Sequence, residues 1–324
     1  MIIVTGGVGF IGSAIVAALN ARGIEDIIVV DRLGSDQRWK NLVNLIFADY
    51  IDKDDFLQLA VENRIAPPVK AVFHMGACSD TTETDADYLI KNNYEYTKLL
   101  ARWAVDSKIR FIYASSAATY GDGEQGFNDN EEEIEKLKPL NMYGYSKQLF
   151  DLWAKRTGML EKIAGLKYFN VFGPNEYHKG NMRSFVLKAF EQINSTGSVR
   201  LFKSCNPKYA DGEYVRDFIY IKDAVDMTLY FLDNPRLDGL YNIGTGKARS
   251  WIDLVKACFA AMNKEPKIEF IDMPENLQKQ YQYFTEADIT KLKKSGFKKP
   301  LTPLESAIKD YVQNYLKENK YLEG

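Results

Sequence analysis

Thr5-Gly6-Gly7-Val8-Gly9-Phe10-Ile11-Gly12 decides the fold. The apolar run Ile2-Ile3-Val4 precedes it, and a segment of helical period over 11–22, closed by Gly23, follows it. The glycines Gly6, Gly9 and Gly12 therefore stand at a strand-to-helix turn, the context that gives their spacing chemical meaning. A side chain at the turn would keep the backbone away from a pyrophosphate, and the helix N-terminus offers unpaired N–H groups to that anion. At Gly12 a side chain would hold helix and strand apart. Asp31 closes the next apolar run, 31 − 12 = 19 residues beyond Gly12, close to the ~20 expected of a carboxylate that accepts hydrogen bonds from an adenosine ribose. A dinucleotide follows. Asp31 favours NAD, whereas Arg32, Arg38 and Lys53 can neutralise a 2′-phosphate; the three cations point to NADP, with NAD as the alternative.

Outward from this turn, apolar runs at 27–30, 46–47, 71–73 and 111–113 alternate with helical patterns such as 88–104. Strands apolar on both faces, alternating with helices, predict an α/β fold: a doubly wound parallel sheet covered on each side, that is, a Rossmann fold. After about residue 170 the pattern loosens, with a helix at 184–193, a strand at 218–221, a helix at 224–232 and a strand at 240–243. The polar loop 205–213 and the prolines Pro266 and Pro274 suggest a smaller, irregular C-terminal lobe. The expected division is a dinucleotide-binding domain over 1–170 and a substrate-binding lobe over 171–324, with the chain free to cross between them.

Composition narrows the function. With 324 residues, 46% of them hydrophobic, the chain buries a core without disulfides or a structural metal. Its net charge of −2 (42 Lys+Arg against 44 Asp+Glu) gives no global field for nucleic acid or anionic lipid, so phosphate binding must be local. Cys78, Cys205 and Cys258 are odd in number and dispersed, as expected of reduced thiols, and with His74 and His178 as its only histidines the chain is a poor candidate for a metal cage. There is no apolar run of spanning length, and the start reads as a first strand rather than a signal peptide, so a cytoplasmic protein with no membrane or nucleic-acid partner is expected. The acidic run 130–133 and the lysines over 293–299 read as solvated faces.

Tyr143-Gly144-Tyr145-Ser146-Lys147 places Tyr143 and Lys147 on one helix face at i and i+4. A phenol titrates near ~10, so a base at neutral pH needs its pKa lowered by about three units, ~4 kcal/mol; a neighbouring ammonium and a positive nicotinamide are the expected agents. Tyr143 would take the proton of a substrate alcohol while hydride leaves for the cofactor. Ser115-Ser116 ends the fifth strand, at the sheet edge where such folds bind ligands, and Ser116 can hydrogen-bond the reacting oxygen.

TGGVGFIGS (5–13), HMGACS (74–79), Asn92, YASSAATYG (113–121), YGYSK (143–147) and YFNVFGP (168–174) together resemble the extended short-chain dehydrogenase/reductase family over nearly the whole chain. The resemblance implies modification of a sugar nucleotide. It assigns Phe10, Ile11, Met75, Gly76, Ala77, Cys78, Ser79, Asn92, Val171 and Lys179 to the cofactor beside the glycines, along with Tyr143 and Lys147. Within the family, GACSDTTETD (76–85), NNYEYTKLL (92–100), PLNMYGYSK (139–147), YFNVFGPNEYHKGNM (168–182), RDFIYI (216–221) and YQYFTEAD (281–288) are similar to members that act on a heptose carried by ADP, with HKG (178–180) the most discriminating. That likeness implies epimerisation of ADP-D-glycero-D-manno-heptose at C6 through a 6-keto intermediate with tightly bound NADP, supplying heptose for the lipopolysaccharide core. It also implies a homo-oligomer, such as a pentamer.

If hydride leaves one face of a carbinol and returns to the other, the ketone must turn over, and its oxygen then lies near a different proton donor. The resemblance assigns that second acid/base role to Lys179, in the loop after the sixth strand; without it, Lys179 reads as a surface lysine. Arg216 matches the position where family members grip the nucleotide diphosphate, a task suited to forked donors. The resemblance further places Ser116, Asn170, Asn181, Lys188, Phe202, Lys203, Ser204, Cys205 and Tyr281 at the substrate. Two departures bear on substrate choice: Met75 stands where an acidic residue is common, and the loop 205–214 is longer than in some relatives.

Other readings are a second nucleotide-sugar enzyme, such as a UDP-hexose 4-epimerase or a reductase, and a non-catalytic dinucleotide sensor. The sensor would have no need of Tyr143 and Lys147. A dehydratase needs an Asp-Glu pair after the strand-end serine, where this chain has Ala117-Ala118.

Overall fold

The computed structural model describes residues 1–66, 68–278 and 282–324. Ile2, Ile3 and Val4 are all buried, and their alternating side chains feed two separate cores, Ile2 and Val4 on one face and Ile3 on the other. A strand apolar on both faces needs helices on both sides. The strands are β1 (Ile2–Thr5), β2 (Ile27–Asp31), β3 (Asp49–Asp52), β4 (Ala71–His74), β5 (Arg110–Ser116), β6 (Ala164–Tyr168), β7 (Asn170–Phe172), β8 (Val199–Phe202), β9 (Val215–Tyr220), β10 (Gly239–Ile243), β11 (Ala248–Ser250) and β12 (Ile268–Ile271). Seven form one sheet in the order β10-β6-β5-β4-β1-β2-β3, every pair parallel. The order reverses between β1 and β4, so a crevice opens outside their carboxyl ends, where such sheets bind ligands.

The main helices are α1 (Phe10–Asn20), α2 (Lys53–Val61), α3 (Ala86–Leu89), α4 (Tyr96–Asp106), α5 (Met142–Arg156), α6 (Phe185–Thr196), α7 (Ile221–Asp233) and α8 (Trp251–Ala261). Two small sheets, β11-β9-β7 and β12-β8, make the second layer with α6 and α8. The chain does cross back: α7 packs on α1, and β10 closes the large sheet beside β6. Among the described residues no helix is long and apolar enough to cross a membrane.

Three local expectations change. The apolar pair at 46–47 is not a strand; the Asn20 amide donates to the Ile46 carbonyl and its oxygen accepts from the Ile46 N–H, both at 2.8 Å, and pairing with β2 begins only at Asp49. The helix expected over 88–104 runs through α3 and α4 with a π-helical turn, Ile90–Glu95, between them; such turns often mark functional sites. The acidic run is not simply a solvated face, because Glu131 accepts from Lys291 Nζ at 2.7 Å and from the Leu240 N–H at 2.8 Å, tying the 131–136 turn to β10.

Candidate active site

The glycine loop closes the crevice at the switch point. Gly6 has φ +65°, and a Cβ there would come within 2.5 Å of the Gly76 nitrogen, on the loop after β4. A Cβ on Gly12 would lie 2.1 Å from the Gly6 carbonyl oxygen. Only glycine permits this cradle. Helix α1 starts from Gly9, which brings no capping side chain, so its first N–H groups face the crevice with the positive end of the helix dipole. These features fit a pyrophosphate.

Asp31 ends β2 beside the cradle. Its carboxylate accepts from the Val8 N–H at 3.0 Å and the Arg32 N–H at 2.7 Å; burial pushes its pKa up while these donors and Arg38 pull it down. A cavity of about 200 Å³ lies against it, walled by Arg32, Arg38, Lys53, Asn92 and the 76–78 loop. Arg38 pairs with Asp36 through Nε and Nη2, Arg32 reaches Asp54 at 3.3 Å, and Lys53 reaches Asp54 at 2.8 Å and the Asn92 oxygen at 3.3 Å. The Asp54 pairs are solvent-exposed, and exposed pairs hold a cation by only ~0–1 kcal/mol, so the cations are available to an incoming phosphate.

Two further cavities, of about 410 and 400 Å³, continue the crevice. The first contains Gly6, Gly9, Gly12, Asp31, Arg38, Cys78 and His178; the second contains Ser116, Tyr143, Lys147, Asn170, Val171 and Lys188. Phe10, Ile11, Met75, Ala77, Ser79 and Lys179 line both. Met75 is accommodated by Tyr168, whose hydroxyl lies 3.5 Å from its sulfur. The two cavities share these residues and so form one continuous trough, built from segments more than a hundred residues apart.

Tyr143 and Lys147 occupy α5, which Asn141 caps by accepting from the Gly144 N–H at 2.8 Å. Lys147 Nζ donates to the Ala114 carbonyl at 2.8 Å, and burial lowers its pKa to about 8. Burial raises the Tyr143 phenol, and the hydrogen bond with Ser116 opposes that rise. The Lys147 ammonium is engaged on β5 through the Ala114 carbonyl, and the group that opposes the rise of the phenol is Ser116.

Behind this pair lies a buried network that sequence reading missed. Lys167 of β6 and Asp151 of α5 are both wholly buried and pair at 2.7 Å. Asp151 also accepts from the Tyr113 and Ser115 hydroxyls at 2.8 and 2.7 Å, and Lys167 donates to Thr119 Oγ1 at 2.7 Å. Every member is satisfied, so the network fixes β5, with Ser116 at its end, against α5. Asp151 lies four residues beyond Lys147, and that spacing was a usable signal. Asn93, in the π-helical turn, was missed as well: it accepts from the Cys78 N–H and donates to the Cys78 carbonyl and Ser146 Oγ, locking the 76–79 loop to α5.

Lys179 lines the same cavity from the 177–182 turn. Its ammonium lies over the Phe10 ring, 5.3 Å from the centroid. Burial lowers its pKa, and Glu176 pulls it back up. Glu176, itself buried, accepts from Ser184 Oγ at 2.7 Å and from the Gly173 N–H at 3.3 Å, holding the loop's two ends together.

Other expected substrate residues are not brought to this cavity. Arg216 is buried with its guanidinium on the Val215 and Gln282 carbonyls and over the Trp251 ring; Trp251, not Arg216, lines the cavity. Phe202 ends β8, and neither it nor Lys203, Ser204 and Cys205 is among the residues lining the cavity: Lys203 pairs with Asp272, and the Ser204 N–H is taken by Asp211. Asn181 is exposed, its carbonyl accepting from Lys188 Nζ at 2.7 Å. Tyr281 lies outside the described residues.

The chain matches the NAD dependent epimerase/dehydratase family over residues 2–244. It is 56% identical over 316 residues to the ADP-L-glycero-D-manno-heptose-6-epimerase of Nitratidesulfovibrio vulgaris, covering 98% of each chain, and 51% identical over 332 residues to the enzyme of that name from Fusobacterium nucleatum, covering 99% of this chain and 100% of the other. The crystal structure of Helicobacter pylori ADP-L-glycero-D-manno-heptose-6-epimerase superposes with a TM-score of 0.81 at 28% identity, covering 97% of this chain and 95% of that one. A glycine cradle at the sheet's switch point, a tyrosine and lysine one helical turn apart, and matches along nearly the whole chain agree: the chain belongs to the NAD dependent epimerase/dehydratase family.

Proposed function

We propose that the protein inverts C6 of ADP-D-glycero-D-manno-heptose to give the L-glycero epimer, the form that would supply lipopolysaccharide heptose, with NADP held in the trough. The observation that supports this reading is that Lys179 and Tyr143, from segments far apart in the chain, line one cavity. The glycine cradle and Asp31 hold the dinucleotide, and Arg32, Arg38 and Lys53 favour its 2′-phosphate. When bound, the nicotinamide supplies an acceptor for two electrons and a hydrogen, which it later returns.

The residues of the chain do the rest. Ser116 holds the C6 hydroxyl, and one of the two bases, Tyr143 or Lys179, takes its proton as hydride departs, leaving a ketone at C6. The ketone turns over within the cavity, hydride returns to its other face, and the second base protonates the new alkoxide. Neither atoms nor electrons are gained or lost overall. Lys147 orients the cofactor end beside Tyr143, and Lys188, at the cavity edge, offers charge to the diphosphate. A general acid/base group contributes typically ~10²–10⁴-fold, so each of the two bases is needed.

The test is to mix purified protein with ADP-D-glycero-D-manno-heptose and follow the C6 configuration by NMR, with UDP-glucose alongside. Inversion of the heptose without accumulation of NADPH supports the reading. Inversion of UDP-glucose at C4 alone would replace it with a hexose 4-epimerase.

A further inference from the structure

The loop that carries Lys179 is fastened to the glycine loop by two buried asparagines that no step above uses. Asn41 lies in the short turn Gln37–Leu42 and is 1% exposed. Its Nδ2 donates to the Val8 carbonyl of the glycine loop at 2.9 Å and to the Asn175 carbonyl at 3.1 Å, and lies 3.3 Å from His178 Nδ1. Its Oδ1 is buried and has no hydrogen-bond partner among the described residues. An amide that leaves its acceptor unanswered while its donors serve two buried carbonyls is held there by those donors.

Asn175 continues the strap. It is wholly buried and has φ +77°, a left-handed conformation that asparagine tolerates better than most side chains. Its Nδ2 donates to Ser13 Oγ in α1 at 3.0 Å, and its Oδ1 accepts from the Leu322 N–H at 2.9 Å. The first helix is thus bonded directly to Asn175, four positions before Lys179, and the glycine loop is joined to the Asn175 carbonyl through Asn41.

We propose that Asn41 and Asn175 are positioning residues: they set the height of Lys179 over the glycine loop, and hence its reach to the reacting carbon. This rests on the epimerase reading for its kinetic consequence but not for its geometry. A displacement of about 1 Å can cost a reaction ~10²-fold, and two buried hydrogen bonds are the means of preventing it.

The test is a double-mutant cycle in the full-length protein with its cofactor bound, using Asn41→Leu, which keeps the volume and removes the donors, with and without Lys179→Met. In the parent background Asn41→Leu is expected to lower kcat by about tenfold or more while KM for ADP-D-glycero-D-manno-heptose stays within about twofold. In the Lys179→Met background it is expected to add almost nothing. Equal losses in both backgrounds would overturn the proposal, since a strap that merely supports the fold acts regardless of Lys179. Where Asn41→Leu fails to fold, Ser13→Ala removes the partner of Asn175 and passes through the same cycle under the same criterion. Competitive acylation of the Lys179 amine against pH, read by mass spectrometry, follows its position without turnover. Its labelling midpoint should rise toward that of a free lysine in either variant, and an unmoved midpoint contradicts the proposal. A parent that does not epimerise but whose midpoint still shifts overturns the functional reading and leaves the positioning intact.

Discussion

Lys179 Nζ stands over the ring of Phe10, 5.3 Å from its centre, so the lysine of the 177–182 turn is seated on the first residue of the helix that follows the glycine loop. A ring face attracts a cation by roughly 0.5–2 kcal/mol, the more so away from water. Phe10→Leu keeps the apolar wall and removes that attraction. It is expected to lower kcat by about fivefold, with thermal stability nearly unchanged, as stopped-flow and thermal-melt measurements would show.

Tyr143→Phe and Lys179→Met should each lower epimerisation by ~10² or more, and the double variant should be nearly inert. Steady-state rates on the heptose substrate check this. Normal turnover by Lys179→Met would remove the second base from the scheme.

The proposed preference for NADP rests on the cations that line the Asp31 cavity. Removing the guanidinium of Arg38, which lines two of the three cavities, should weaken NADP by about tenfold or more, since hydrogen bonds to charged groups contribute ~1.5–3 kcal/mol. NAD affinity should hardly move. Titration of Arg38→Ala with both dinucleotides gives the answer; equal losses would show that Arg38 serves the shared part of the cofactor.

Lys167→Met strands Asp151 as a charge inside the core, and breaking a buried pair in this way costs about 3–5 kcal/mol. Urea unfolding should show that loss. Lys167→Met with Asp151→Leu removes both charges and should recover part of it, although Tyr113 and Ser115 then lose their acceptor.

His74, wholly buried between Thr5 Oγ1 at 2.6 Å and Thr97 Oγ1 at 2.9 Å, has its pKa lowered to about 3 by burial, with Lys147 adding to the shift. The unfolded chain takes up a proton near pH 6.5, whereas the folded chain does not until about pH 3. The histidine's contribution is therefore fully present above pH 6.5 and is lost as pH falls toward 3. Relative to His74→Gln, the parent should lose about 1.4 kcal/mol per pH unit across that window. Denaturation at several pH values checks this, and parallel curves for the two proteins would contradict it.

The large sheet and its glycine turn were legible because local periodicity writes them: Ile2-Ile3-Val4 before Gly6 and the helix after it leave few alternatives. Asp31, Tyr143 and Lys147 were legible for the same reason, each being tied to an element end or a helix face. Long-range polar pairs leave no such trace. Nothing periodic announces that Lys167 turns inward to Asp151, or that Asn20 captures Ile46 and delays β3. Arg216 shows the same limit: the resemblance gives it a role at the substrate, and no pattern announces that its guanidinium meets the Val215 and Gln282 carbonyls and the Trp251 ring.

The central claim is that the hydrogen removed from C6 returns to the same carbon from the other side. Substrate carrying deuterium at C6, converted by the holoprotein in ordinary water and analysed by NMR and mass spectrometry, tests it directly. The L-glycero product is expected to retain its deuterium, with no net change in NADPH. Product bearing solvent hydrogen at C6, or a heptose left uninverted, would contradict it.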